Sequence, residues 1–147
     1  MPKTAPKAEP VLLLRVSCAA PENIGRLDGG MARMIPITGG TVSGEIEGEV
    51  LPGGADWAIV RKNGLSTVDA RYAFKASDGT IIQVFNGATA LIERSQTDRP
   101  YMMVTSPRFI APEGPHDWLN RGVFVGTLAA DMSAGGSAVE IRIFRMV

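Results

Sequence analysis

The stretch "IPITGGTVSGEIEGEVLPGGADW", Ile35 to Trp57, decides how this chain is read. Two Gly-Gly pairs, Gly39-Gly40 and Gly53-Gly54, bracket a run in which acidic and apolar residues take turns. Glycines at such density serve either as a cradle for phosphate or as corners in a sheet. A Walker loop needs Gly, four residues, then Gly-Lys-Ser/Thr opening a helix, and the chain has no such run. A dinucleotide fingerprint needs Gly-x-Gly-x-x-Gly between a strand and a helix. Thr38-Gly39-Gly40-Thr41 leads into another β-like run instead. The first pair is therefore read as a bend or bulge, and Pro52-Gly53-Gly54 as a turn. Between them, Gly44 to Leu51 alternates, with Glu45, Glu47 and Glu49 on a face expected to be wet.

The same grammar extends along the chain. Val11–Cys18, Met31–Thr38, Asp56–Lys62, Ser66–Ala76, Thr80–Asn86, Tyr101–Phe109, Trp118–Ala130 and Ser137–Val147 read as strands between Gly, Pro, Asn and Asp punctuation. Asn63-Gly64 and Asp78-Gly79 are hairpin turns, because both residue types tolerate positive φ. Ala88–Arg94 reads as a short helix. A single sheet of eight to ten strands would curl, and closing it removes the exposed edges. The expected fold is an all-β, single-domain antiparallel β-barrel of about eight to ten strands with at most a short helix. Residues 1–10 are expected to be a flexible tail and 11–147 the barrel.

Composition narrows the function. Lys+Arg and Asp+Glu are both 15, a balance that argues against a dedicated nucleic-acid binder. One Cys, Cys18, rules out an internal disulfide, and with one His, His116, it cannot supply the usual zinc ligand set. No apolar run approaches the roughly 20 residues of a membrane span, and "MPKTAPKAEP" lacks a signal core. A cytoplasmic location, no cofactor and no metal are the resulting expectations.

Candidate chemistry gathers in three places. On Ser66–Ala76, Asp69 and Arg71 share one side while Val68, Ala70, Tyr72 and Phe74 share the other. If the first set lines the barrel, Arg71 can hold a carboxylate or enolate while Asp69 moves a proton. If the second does, Asp69 and Arg71 are a solvated pair of little energetic weight. Asp56 and Trp57 point to opposite faces, with Trp57 expected inside and Asp56 at a turn or a cavity mouth. Arg108, Trp118, Asn120 and Arg121 fall in one loop system, as a lip for an anionic or aromatic ligand or as a core Trp with an Asn closing a turn. His116 is read as an exposed loop residue.

The opening stretch, followed by "DARY", "SPRF" and "WLNRGVFVG", resembles the DUF3237 (UPF0311) family from about Leu12 to Val147. The matching positions include the two Gly pairs, Asp56, Trp57, Asp69, Arg71, Tyr72, Arg108, Trp118, Leu119 and Asn120. "ATALIERSQTDRP", Ala88–Pro100, departs from the family pattern. The resemblance implies a compact antiparallel barrel, often oligomeric, and no firm activity. A barrel of this size holds one small ligand.

The leading expectation is a cofactor-independent lyase, hydratase or isomerase working by proton transfer on a small carbonyl-containing molecule, aromatic ones included. Asp56 or Asp69 would be the base, Arg71 or Arg108 the oxyanion partner and Tyr72 a proton donor, with Trp57, Arg108, Trp118 and Asn120 binding substrate. The alternatives are a non-catalytic small-ligand barrel and a structural or oligomerisation protein. Partners are expected to be a small molecule and further copies of the chain, with no nucleic acid and no membrane.

Overall fold

The computed structural model describes residues 3–92, 100–130 and 138–147. Its strands are β1 (Ala8–Cys18), β2 (Glu22–Leu27), β3 (Gly30–Gly44), β4 (Gly48–Val50), β5 (Ala55–Arg61), β6 (Leu65–Ala76), β7 (Ile81–Leu91), β8 (Met103–Ile110), β9 (Phe124–Ala130) and β10 (Ala138–Met146). One turn of 3-10 helix, Asp117–Asn120, precedes β9. All ten strands belong to one sheet, and β1 pairs antiparallel with both β10 and β3. The sheet thus closes into an eight-stranded antiparallel barrel with two extra strands. Closure satisfies the backbone donors and acceptors that an open edge would leave bare.

Local turn chemistry sets the hairpins. At Asn63-Gly64 the Asn63 Oδ1 accepts the Leu65 N–H at 3.0 Å, and Gly64 adopts φ 87°. At Asp78-Gly79 the Asp78 Oδ1 accepts the Thr80 N–H at 3.0 Å, and Gly79 adopts φ 91°. Both turns are short Asx-type devices that fix the register of the strands they join.

The opening stretch is an excursion that returns to its own start, pairing Ile35 with Asp56. β3 runs for 15 residues and changes neighbours along its length, pairing with β2 and β5 through its first half and with β1 and β4 through its second. Its register against β1 jumps from Ser17–Gly39 to Cys18–Ile37, leaving Thr38 as a bulge. A one-residue bulge inverts which side chains face inward. Val42 points into the barrel beyond the bulge, and Ile37 and Ile35 point into it before the bulge. The glycines permit contact too close for a side chain. A Cβ on Gly40 would meet the Arg15 carbonyl, and one on Gly54 would meet the Tyr72 Cβ. They are corners of a barrel.

The interior is divided along its length. Toward the β6–β7 hairpin, Leu14, Phe74, Ile82 and Ile143 are fully buried. Leu119 from the 3-10 turn joins this core with Phe109 and Phe124, whose rings meet edge to face at 5.1 Å. Each such large side chain contributes about 1.5–3 kcal/mol by leaving water. Toward the other end, β6 supplies Val68 and Ala70, and β10 supplies Ala138. Small residues there leave the barrel unfilled.

Several elements differ from the sequence expectation. β1 begins at Ala8, which pairs with Met146, so the expected tail gives up its last three residues to the sheet. Ala88–Leu91 continues β7 because it pairs with β6 through Leu65–Leu91, and the ladder overrides the helical preference of its alanines. The rest of that expected helix, beyond residue 92, and Asp98-Arg99 lie outside the described residues. Trp118–Ala130 splits into the 3-10 turn and β9. Gly44–Leu51 is not one strand: Gly44 ends β3 and Gly48–Val50 forms β4, with Glu45, Glu47 and Glu49 exposed as expected. β2 is an addition, a solvent-facing strand with no apolar period.

Candidate functional site

The unfilled end is a cavity of about 600 Å³. Its walls are mostly aliphatic, and among the described residues four polar side chains reach it from four strands: Cys18 (β1), Asp56 (β5), Tyr72 (β6) and Asn86 (β7). Volume and composition match a site for one small organic molecule with a few orienting groups.

Asp56 is held by an opening in the sheet. The β5–β6 ladder pairs Ala55–Arg71 and Asp56–Ala70, then resumes at Ile59–Thr67. Beside this gap the Asp69 N–H donates to Asp56 Oδ1 at 2.8 Å. That bond orients one carboxylate oxygen. Burial raises the Asp56 carboxyl above its ordinary value, the Asp69 N–H draws it partly back, and the Asp69 charge adds to the rise. The carboxylate is therefore a stronger base than one in water.

Tyr72 lies across from Gly54, whose missing Cβ gives its own Cβ room. The residue is 5% exposed, and its hydroxyl has no hydrogen-bond partner among the described residues. Burial pushes the phenol far above its ordinary value, with the Cys18 thiol adding a smaller rise, so it stays protonated and able to donate. On the adjacent strand Asn86 is 2% exposed and its Oδ1 is likewise unpartnered. Register pairs Tyr72 with Val84 and Ala70 with Asn86, making Tyr72 and Asn86 diagonal neighbours on one inner wall. Cys18 ends the inward row of β1. Burial raises its thiol, and the Asp56 charge raises it further, so it is a neutral, weak donor. Among the described residues, no three His, Cys, Asp or Glu side chains come together as metal ligands.

The comparisons with known proteins fit this architecture. The family model described as "Protein of unknown function (DUF3237)" matches residues 6–146. The chain belongs to the DUF3237 family. The UPF0311 protein RPA1785 of Rhodopseudomonas palustris is 38% identical over 116 residues, covering 71% of this chain and 76% of that protein. Its crystal structure superposes with a TM-score of 0.84 over 99% of this chain and 100% of that one, at 30% identity. A beta-barrel like protein from Acinetobacter baumannii gives a TM-score of 0.85 at 28% identity, with 99% of both chains covered. An enzyme from Penicillium herquei, at 19% identity, gives 0.79 over 100% of this chain and 98% of that one, a likeness of fold alone.

In this DUF3237 chain the residues singled out from the sequence fall into three groups. Asp56 and Tyr72 meet in the cavity. Asp69 and Arg71 lie on the outer wall, because the apolar set of β6 with Tyr72 takes the interior. There Arg71 and Arg108 both stack on Phe85, at 4.9 and 4.2 Å from the ring centre, since the three residues are directly opposite one another on β6, β7 and β8. Trp57, expected inside, is 51% exposed, because Asp56 has taken the inward position beside it.

Trp118 and Asn120 stand near the packed end. Trp118 packs on Phe124 with Arg145 over its ring. Asn120 clasps Ala111, accepting its N–H and donating to its carbonyl, both at 2.8 Å, which closes the loop. The loop system containing Arg108, Trp118 and Asn120 supplies no cavity-lining residue. His116 is tied to Asp78 at 2.8 Å rather than left free in its loop.

Cys18 and Asn86 were absent from the sequence candidates. Their signal was a polar residue ending an inward row: Leu12, Leu14, Val16, then Cys18, and Ile82, Val84, then Asn86. No helix among the described residues is long and apolar enough to cross a membrane.

Proposed function

We propose that the protein is an enzyme of acid–base chemistry, a lyase, hydratase or isomerase acting on a small carbonyl compound within the barrel. One observation carries the reading: a partly buried carboxyl of raised proton affinity and a buried phenol without a partner among the described residues share a mostly apolar cavity. This is the pairing that removal of a proton beside a carbonyl requires. The Asp56 carboxylate takes a proton from the carbon next to the carbonyl. The C–H electron pair moves toward the carbonyl oxygen, and the Tyr72 hydroxyl hydrogen-bonds the developing oxyanion. The proton held on Asp56 then returns to a different carbon in an isomerisation, or assists departure of a β-hydroxyl in an elimination. No cofactor enters these steps. Asp69 contributes through its backbone N–H, which aims the base.

Proton exchange tests the reading. With 1-tetralone in D2O, wild-type protein is expected to replace the proton beside the carbonyl with deuterium, followed by NMR. Asp56→Asn should lower that rate by about 10²–10⁴-fold, and Tyr72→Phe should slow it less. Equal exchange in wild type and Asp56→Asn would sink the assignment. A bound ketone that never exchanges would leave a carrier or sensor of small molecules.

A further inference from the structure

We infer that the cavity selects an uncharged, largely apolar hydroxy-carbonyl compound, its carbonyl oxygen at Tyr72 and its hydroxyl at Asn86, and that it rejects carboxylates and phosphates. The inference rests on the reading of this cavity as the working site and adds the class of molecule it takes.

Charge makes the first half of the argument. Among the described lining residues Asp56 is the one carboxyl, and none is a Lys, Arg or His. Arg33 shares the Ile35 face of β3 two residues farther along, and stands outside the lining. Arg71 and Arg108, the cations best suited by type to hold an acid, are committed to Phe85 on the outer wall. An anion entering here would lose its hydration in an apolar chamber, face the Asp56 carboxyl, and meet no cation among the described lining residues, the buried Arg33 Nε lying just outside them.

Hydrogen-bond chemistry makes the second half. The Tyr72 hydroxyl is a donor and Asn86 Oδ1 is an acceptor. Both are more than nine-tenths buried, line the cavity, and have no partner among the described residues. They sit on diagonal positions of neighbouring strands. Such positions are about 7–8 Å apart at the backbone, and their side chains converge on one edge of a ligand. A ligand that satisfies both presents an acceptor and a donor on that edge, as an α-hydroxy ketone does. A buried polar atom left unpartnered is costly, so each satisfied group should improve binding by about tenfold.

Four probes of similar size separate these features when titrated into the full-length protein by calorimetry at pH 8: tetralin, 1-tetralone, 2-hydroxy-1-tetralone and 1-naphthoate. The expected order places 2-hydroxy-1-tetralone about tenfold above 1-tetralone, and 1-tetralone about tenfold above tetralin. Asn86→Ala should remove the first step and Tyr72→Phe the second. No binding of 1-naphthoate to wild type is expected, and Asp56→Asn should bring it into the measurable range. Naphthoate binding wild type as tightly as 1-tetralone would overturn the inference. So would a hydroxyl preference that survives Asn86→Ala, or a failure of every neutral probe to bind. Because these are binding measurements, the expected order without deuterium exchange would end the acid–base reading and leave this one standing. Exchange of 1-tetralone together with tight naphthoate binding would do the reverse.

Discussion

The two halves of the barrel use the same strands for opposite purposes. β6 carries Phe74 and Ala76 into the packed end and Val68, Ala70 and Tyr72 into the hollow one. β1 and β7 divide likewise, with Leu14 and Ile82 at one end and Cys18 and Asn86 at the other. One end buys rigidity with large aliphatic and aromatic side chains. The other forgoes that packing and buries polar groups without partners, a cost tolerated where a ligand can answer it. Stability and chemistry are thus separated along a single axis.

Three measurements press on this contrast. The largest effect is expected at the packed end. Phe74→Ala should cost about 3–5 kcal/mol in urea melts, since it opens a void among fully buried neighbours. A cost below 1 kcal/mol, on the order of an exposed site, would show that this end is not the stabilising core. In the hollow end, Ala70→Leu extends a side chain into the cavity. Stability should change by less than about 1.5 kcal/mol, while binding of 1-tetralone falls at least tenfold. Unaltered binding would place the ligand elsewhere.

The smallest effect, and the most diagnostic, is in pH. Asp56 is raised from 3.8 by burial, whereas Asp78 at the packed end is lowered from 3.8, chiefly by the Thr80 N–H and next by the Thr80 hydroxyl. A raised carboxyl favours the folded state below its unfolded value and loses that contribution as pH rises through its folded one. Asp56→Asn should therefore be more stable than wild type at pH 7, with the gap closing as pH falls below the ordinary carboxylate range. A lowered carboxyl behaves oppositely, stabilising above 3.8 and losing the effect as pH falls through its folded value. Asp78→Asn should therefore be the less stable variant at pH 7 and match wild type in strong acid. Denaturant melts across pH check both slopes, and slopes of the same sign would break the contrast.

Much of the fold was legible because it is locally encoded. Asn63-Gly64 and Asp78-Gly79 specify their own hairpins. The two Gly pairs announce corners before any partner strand is known. The site was less legible, because β6 offers two plausible inner faces and its own sequence does not choose between them. The choice is made by neighbours: Gly54 vacates space for Tyr72, while Arg71 finds Phe85 and Arg108 outside. Asn120 looked like a ligand contact because a paired amide and a free one share the same letter. Its partner is the backbone of Ala111, nine residues away. β2 carries no apolar period, so only the pairing with β3 reveals it.

The bulge at Thr38 gives the barrel a phase control. Residues before it and after it face inward on opposite parities, so one surplus residue decides which members of Met31–Ile37 form a wall. Drawing Thr38 into the ladder opposite Cys18, in place of Ile37, would exchange the whole wall at once, turning Ile35 and Ile37 out and Met34 and Pro36 in, without touching the strands that carry Phe74, Ile82 and Ile143, whereas deleting Thr38 would leave Ile37 opposite Cys18 and the same wall inward. A change of register, rather than of residue type, is thus a route by which such a barrel can trade one guest for another while its foundation stays the same.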